Sequence, residues 1–496
     1  MSIVGVGTRS LLLTQSLVGM RTQLGDLQRQ LATGKRADDY AGLGLERGLT
    51  VGLRSHLSAI GAYGDTITNV DVRLDLAQSA LSRIGDIGRE LKSVSNQMTS
   101  VENRATAQVA ANSSLGEILG LLNTRAGDRY LFSGLASDQP AVQSLSQILD
   151  GDAGGAGLKQ IVGERLQADL GASGLGRLVV SSPAPTAVAL TEDAGVFGFK
   201  LAAVNSSLTG ATVAGPAGAP PQVSVDLGAA NPNAGETVSF TFNLPDGSTE
   251  TLSLKATASA TPAGNEFAIG ANSSATAANL QAKITSAIGA LARTSLSAAS
   301  AIAASDNFFN TDSANPPRRV DGPPFDSATG LIAGTQADTV FWYTGEAGSQ
   351  PARTTASARI DQSITVDYGL RANEEGIRRQ LQSAAALAAI SLPGGDADSE
   401  SRATALSSRL RAALDVPPGT QSVENIQTEL AGAQVSLDAA KQRHQQTDAT
   451  LRDLLQEVEG ITNEEVAAQI LALQTSLQAS LQTTAKLYQM SILNYI

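Results

Sequence analysis

Across 496 residues there is no cysteine, one tryptophan and only two histidines, and aromatic residues make up 4% of the chain. Each scarcity excludes a class of chemistry. Without cysteine there is no disulfide, no thiolate nucleophile and no Cys-containing zinc or iron–sulfur site. His56 and His444 are far apart in sequence, so they form neither an HExxH helix nor a His-rich metal cage, and they do not assemble a Ser/His/Asp arrangement. Thirty-five Lys and Arg against 47 Asp and Glu leave a net charge of −12, whereas binding a phosphate backbone rests on clustered cations. Nucleic acid is therefore not an expected partner. Leu11, Leu12 and Leu13 are cut off by Thr14, Gln15 and Ser16 with no cleavage site after them, which argues against a cleaved signal peptide. No continuous apolar run approaches the roughly 20 residues that span a bilayer, so no membrane insertion is expected.

What the chain does have is regular hydrophobic spacing at both ends. Leu13, Leu17, Met20, Leu24, Leu27 and Leu31 recur at alternating steps of four and three, the 3.5-residue seam of a coiled coil rather than the broader stripe of a globular surface helix. Gly34 follows as a stop. Near the other end, Thr462 and Glu465 form a capping-box pair. Val466, Ile470, Leu473, Leu477, Leu481, Leu487, Tyr488, Ile492 and Tyr495 then make a second seam. Two short helices alone bury too little to be stable, so these ends are expected to complete their core by assembly.

A longer helical pattern runs from about residue 50 to 126, through Leu53, Leu57, Ile60, Ile67, Leu74, Leu81, Ile84, Leu91 and Leu115. One helix of that length would reach roughly 100 Å at 1.5 Å per residue, and Gly61, Gly64, Gly85 and Gly88 within it each cost about 1 kcal/mol relative to Ala. Lateral packing must hold it. Residues 371–414 and 420–460, separated by the breaker Pro417-Pro418-Gly419, have the matching character.

The middle, about 140–355, is rich in Gly, Ala, Ser, Thr and Pro. Val238, Phe240, Phe242 and Leu244 alternate with polar residues, a Pro245-Asp246-Gly247-Ser248 turn follows, and Leu252 and Leu254 alternate on the return, which predicts a β-hairpin. Helices are expected over 158–170 and around Leu280, Ile284, Ile288 and Leu291, with strands near 178–180, 187–190 and 197–201. The fold class is mainly α with an inserted α+β or β-rich region, its long terminal coiled-coil helices forming a split helical rod. The expected division is 1–45 with 460–496 as an axial core domain, 46–139 with 356–459 as a helical rod domain, and 140–355 as an outer insertion. That insertion divides into 140–220 and 221–355.

Candidate chemistry is sparse. Asp38-Asp39 diverge on any regular backbone, which favours a capping or solvated role. Gly42-Leu43-Gly44 with Gly48 misses the dinucleotide-loop spacing, and Gly34-Lys35-Arg36 lacks the rest of a phosphate loop. Asp150-Gly151-Asp152 is not followed by a calcium-ligand pattern. No catalytic residue, cofactor or metal is expected.

The seam into Ala32-Thr33-Gly34-Lys35-Arg36, followed by Asp38-Asp39-Tyr40-Ala41-Gly42-Leu43, resembles the N-terminal signature of bacterial flagellins and their hook-associated relatives. Leu81 to Ile87 is similar to the helix that follows in that family. Arg129-Tyr130-Leu131-Phe132-Ser133-Gly134 and Tyr368-Gly369-Leu370-Arg371-Ala372-Asn373-Glu374 look like the points where hook–filament junction members leave and re-enter their helices. The ending Lys486-Leu487-Tyr488-Gln489-Met490-Ser491-Ile492-Leu493-Asn494-Tyr495-Ile496 is also similar to junction members. The length of the insertion is closer to that of a filament flagellin, which stays as the alternative. A surface-binding protein whose activity lies in the insertion is a third reading. The resemblance implies a flagellin-like fold and a non-enzymatic, self-assembling structural subunit of the extracellular flagellum. It also implies export without signal cleavage, neighbouring hook-associated proteins and flagellin as partners, and a cytoplasmic export chaperone on the C-terminal helix.

Overall fold

The computed structural model describes residues 4–98, 100–152, 154–312, 315–393 and 395–493. In chain order its helices are α1 (Val4–Thr33), α2 (Arg47–Ser95), α3 (Val101–Leu122), α4 (Leu145–Asp150), α5 (Leu158–Leu170) and α6 (Ser273–Leu291). There follow α7 (Ser297–Phe309), α8 (Glu375–Ala389), α9 (Ser399–Leu414), α10 (Val423–Glu459) and α11 (Asn463–Leu493). Helix accounts for 54% of the structure, and the described strands all fall between Arg125 and Asp367. The fold is thus mainly α with a β-containing insertion and long helices at both ends. Two compact units are present, one made of the chain up to residue 69, 359–365 and 435 onward, the other of 70–358 and 366–434. The expected breaks at 45/46 and 459/460 both lie inside the first unit.

In the first unit α1 ends at Thr33 because Gly34 turns out of the helix with φ +65°, a conformation that costs glycine little. Beyond it Arg36 N donates to Glu459 O at 2.8 Å and Ile461 N to Gly34 O at 3.0 Å. The end of α1 therefore sits beside the start of α11, and the two helices pack antiparallel. Leu53, Ile67, Leu437 and Ala440 are buried in the same unit, where α2 and α10 approach through Arg54 and Glu459 at one level and Tyr63 and His444 at another.

In the second unit the pattern expected as one helix over 50–126 is interrupted between Ser95 and Val101. Hydroxyl side chains compete for the backbone there: Ser95 Oγ donates to Lys92 O at 2.9 Å, and extended Ser100 caps α3 by accepting from Asn103 N at 3.2 Å. Arg83 and Glu117, about equally far from the break, pair at 2.6 Å, so α2 and α3 form an antiparallel hairpin. Of the four glycines in α2 flagged as costly, Gly88 has a packing reason. A Cβ there would stand 2.1 Å from Gln380 Oε1 on α8, whereas Gly61 and Gly64 face open space. Residues 371–414 likewise form two helices, α8 and α9, with Pro393 between them.

The insertion contains two four-stranded sheets. One is ordered Leu178–Ala184, Ala187–Glu192, Gln222–Asp226, Thr212–Ala217, and the other Glu266–Ala268, Thr249–Thr257, Thr237–Asn243, Lys200–Ser206. The predicted hairpin forms with Val238 opposite Leu254 and Phe240 opposite Leu252. Alternation sends Val238, Phe240 and Phe242 to the interior. The expected boundary at 220/221 falls within the first sheet, since Gln222–Asp226 pairs on both sides, and one apolar core joins both sheets to Leu280, Ile284 and Ile288 of α6. Beneath it Asp169, wholly buried, accepts from Arg165 Nε at 2.8 Å, Gly198 N at 2.8 Å and Ser300 Oγ at 2.6 Å.

A π-helical turn at Ala292–Leu296 joins α6 to α7, and α7 packs on α5, α8 and α9. Among the described residues Ser273–Phe309 is one helix long and apolar enough to cross a membrane, although small Ala and Ser residues dominate it and no run of large apolar side chains stands out. Its most apolar stretch is 72% buried within the fold.

Candidate functional site: paired terminal helices and the neck of the insertion

Heptad spacing places the same side of α1 and α11 toward each other along their length. Leu13, Leu17, Met20 and Leu24 are half-buried and Leu27 is buried; opposite them Val466 is buried and Ile470, Leu473 and Leu477 are half-buried. Two predicted seam residues are not covered. Leu31 is 42% exposed because α11 begins only at Asn463, leaving little helix opposite the end of α1. Leu481 is 54% exposed, since two successive steps of four carry it off a seam that must alternate four and three. The half-buried positions continue instead through Ser480 and Thr484. The side chains of Leu487, Tyr488 and Ile492, and all of Tyr495, lie outside the described residues.

At the start of α11 and beyond the end of α1, local side-chain bonds tie the chain down. Thr462 Oγ1 accepts from Glu465 N at 3.2 Å, one half of the expected capping box, while the Glu465 carboxylate accepts from Gln469 Nε2 at 3.4 Å rather than reaching back. Asp38 pairs with Arg29 at 2.8 Å, and Asp39 accepts from Gly42 N at 2.9 Å to close a turn. These adjacent carboxylates thus serve two separate local contacts. Arg54 clasps the loop: it donates to Glu459 at 2.7 Å and to the Tyr40 hydroxyl at 3.2 Å, and its guanidinium lies 5.6 Å from the Tyr40 ring. The hydrogen bond to Glu459 raises the Arg54 pKa above its ordinary value.

Off the seam, the same helices present apolar side chains to solvent. Leu11, Leu12 and Val18 on α1, Leu471 on α11 and Leu45 in the loop are all well over half exposed. These side chains are exposed on the same unit as the partly covered seam.

At the neck, the two junction-like motifs meet. Ser133 and Arg371 form an antiparallel bridge, with Gly134 N donating to Leu370 O at 3.0 Å and Ala372 N to Phe132 O at 2.8 Å. Phe132 is fully buried, and the Arg371 guanidinium donates to the carbonyls of Gly348 and Gln350. Nearby, buried Glu374 accepts from Arg353 and from Gln421 Nε2; burial raises its pKa despite the guanidinium. The chain therefore leaves and re-enters the helices through one paired strand segment. Sequence spacing alone could not pair residues this far apart.

His444 is buried: Nε2 lies 2.7 Å from Ile360 O, and the ring stacks 5.6 Å from Tyr63. His56 lines the same cleft from α2. Asp152 Oδ1 accepts from Gly155 N at 2.8 Å in a local turn. Among the described residues no group of three His, Cys, Asp or Glu is disposed to hold a metal ion.

Residues 8–137 match the family described as the bacterial flagellin N-terminal helical region. That span carries the first seam, α2, α3 and the outgoing side of the neck. Over that span, about a quarter of the chain, the sequence is similar to bacterial flagellins. No curated protein matches the chain.

Proposed function

We propose that this chain is a non-enzymatic structural subunit of the extracellular bacterial flagellum, assembling through its terminal helices as a hook–filament junction adaptor. The observation that carries the assembly is the paired α1–α11 hairpin, whose seam is only partly covered and whose outer side exposes Leu11, Leu12, Val18 and Leu471. Each square ångström of apolar surface removed from water contributes roughly 25 cal/mol, less the cost of ordering the ends. Leu13, Leu17, Met20, Leu24 and Leu27 with Val466, Ile470, Leu473 and Leu477 form the seam, in an axial core. Neighbouring hook-associated proteins and flagellin are the partners. A cytoplasmic chaperone holds the C-terminal helix before export without signal cleavage.

The ending after Lys486 and the zipped motifs around Ser133 and Arg371 favour the junction reading within the family. The large folded insertion favours the second reading, a filament flagellin. A deletion strain separates them. Hooks that stay intact while filament protein is shed into the medium support the adaptor; loss or altered composition of filaments, with no shed filament protein, supports a flagellin.

A further inference from the structure

A cleft of about 390 Å³ opens in the insertion where the glycine-rich turn after α5 faces the last turns of α6. It is lined by Leu170, Ser173, Leu175, Thr285, Ser286 and Arg293, and by Gly289 between them. We infer that this cleft binds a saccharide unit carrying a carboxylate, a hexuronic acid. The inference is independent of the flagellar reading.

Three features converge on that chemistry. First, Arg293 is held by its Nε atom, which donates to Asp398, while its backbone carbonyl accepts from Arg402 Nε at 2.8 Å. The side chain is thus oriented from behind. Neither terminal nitrogen has a hydrogen bond among the described residues, and a guanidinium edge with two free donors matches a carboxylate. Second, the hydroxyl groups are polarised by their internal bonds. Thr285 Oγ1 donates to Gln281 O at 2.9 Å and Ser286 Oγ to Lys283 O at 3.0 Å, so both oxygens remain acceptors. Ser173 Oγ accepts from Leu175 N at 3.3 Å and keeps its proton to donate. Sugar hydroxyls, which donate and accept, suit that mixture, and Leu170 and Leu175 offer an apolar surface for the C–H face of the ring.

Third, the space is built into the helix. Gly289 sits in the interior of α6, where glycine costs about 1 kcal/mol relative to Ala, although a Cβ would meet only ordinary contacts, Arg293 Nη1 at 3.4 Å and Leu175 Cδ2 at 3.6 Å. A side chain at 289 would therefore narrow the cleft rather than clash with its walls. The π-helical turn that starts at Ala292 is an irregularity found often at functional positions.

The test titrates methyl glucuronide into the full-length chain by saturation-transfer NMR, with methyl glucoside and inorganic phosphate as comparators. Glucuronide is expected to bind at least tenfold more tightly than glucoside, and Arg293→Gln to lose about that tenfold. Gly289→Leu should abolish binding by filling the cleft. Because leucine could disturb α6, Gly289→Ala is measured beside it and should weaken binding at an unchanged or higher melting temperature. Absence of glucuronide binding, equal binding of glucoside, full displacement by phosphate at equal concentration, or unchanged affinity in Arg293→Gln would each overturn the site.

Discussion

The insertion and the terminal hairpin use the same apolar residue types to opposite ends. In the insertion, Phe240, Phe242, Leu254, Leu280 and Ile284 are essentially inaccessible, because two sheets and α6 close around them on all sides. In the hairpin, Leu13, Leu17, Ile470 and Leu473 are only half-covered, and Leu11, Leu12 and Leu471 face solvent. A sheet pair with a covering helix can complete a core within one chain, whereas two antiparallel helices present at most one covered stripe each. The first region is therefore built to fold and the second, on the proposed reading, to be completed by neighbours.

The largest effect that could break this contrast comes from placing charge in the seam. Leu473→Asp with Leu477→Asp should abolish incorporation into flagella, measured by sedimentation and electron microscopy. Fluorescence of buried Trp342, the chain's one tryptophan, should show an unchanged unfolding midpoint for the second unit. Normal incorporation would refute the seam. The converse change is Asp169→Ala, which leaves Arg165 and the Gly198 N–H without their buried acceptor. It should cost about 3–5 kcal/mol in urea denaturation followed at Trp342, while folded protein still assembles. If it blocked assembly at temperatures where the insertion remains folded, the two regions would not be separable in the way their cores suggest.

A smaller effect sharpens the phasing of the hairpin. Ser480 occupies a half-buried seam position and Leu481 an exposed one. Ser480→Leu should raise the thermal stability of the terminal helices by about 1 kcal/mol through added apolar burial, and Leu481→Ser should change it by less than about 0.5 kcal/mol. Circular dichroism on the two variants reads both; the reverse order would restore the phase suggested by apolar residues alone.

What could be seen in the residues themselves was local and periodic. The seam as far as Leu477, the stop at Gly34, the bounds of α5 and the register of the Val238–Leu254 hairpin all follow from spacing and turn chemistry within a few residues. What was hidden depended on distant partners. The spacing around Ser133 does not give its pairing with Arg371, and Gly88 looks like a defect until Gln380 comes against it. The break after Ser95 had local signals in its hydroxyl and amide residues, but a continuing apolar period outweighed them. Leu481 misled for a related reason: hydrophobicity suggested a seam position that the alternation of four and three denies it, and a serine takes its place.

The smallest effect concerns pH and separates the regions by their titratable groups. Glu236, in the insertion, accepts from the Thr209 side chain and N–H and from the Asn233 side chain and N–H. Those bonds, led by Thr209, pull its pKa down from 4.5 to about 2. A depressed folded pKa means that the unfolded chain takes up the proton first, so the stability Glu236 adds is complete above pH 4.5 and is lost as pH falls through about 2. Glu236→Gln should therefore flatten part of the acid limb of the unfolding curve recorded at Trp342. The covered seam positions from Leu13 to Leu27 and from Val466 to Leu477 carry Leu, Met, Val and Ile, none of which titrates. Acidification from pH 4.5 toward 2 is accordingly expected to loosen the hydrogen-bonded turns of the insertion before it unpairs α1 from α11, and hydrogen exchange resolved by segment measures that order directly. Earlier exchange in the terminal hairpin would show that its stability rests on charged contacts such as Arg29–Asp38 and Arg54–Glu459 rather than on its apolar seam.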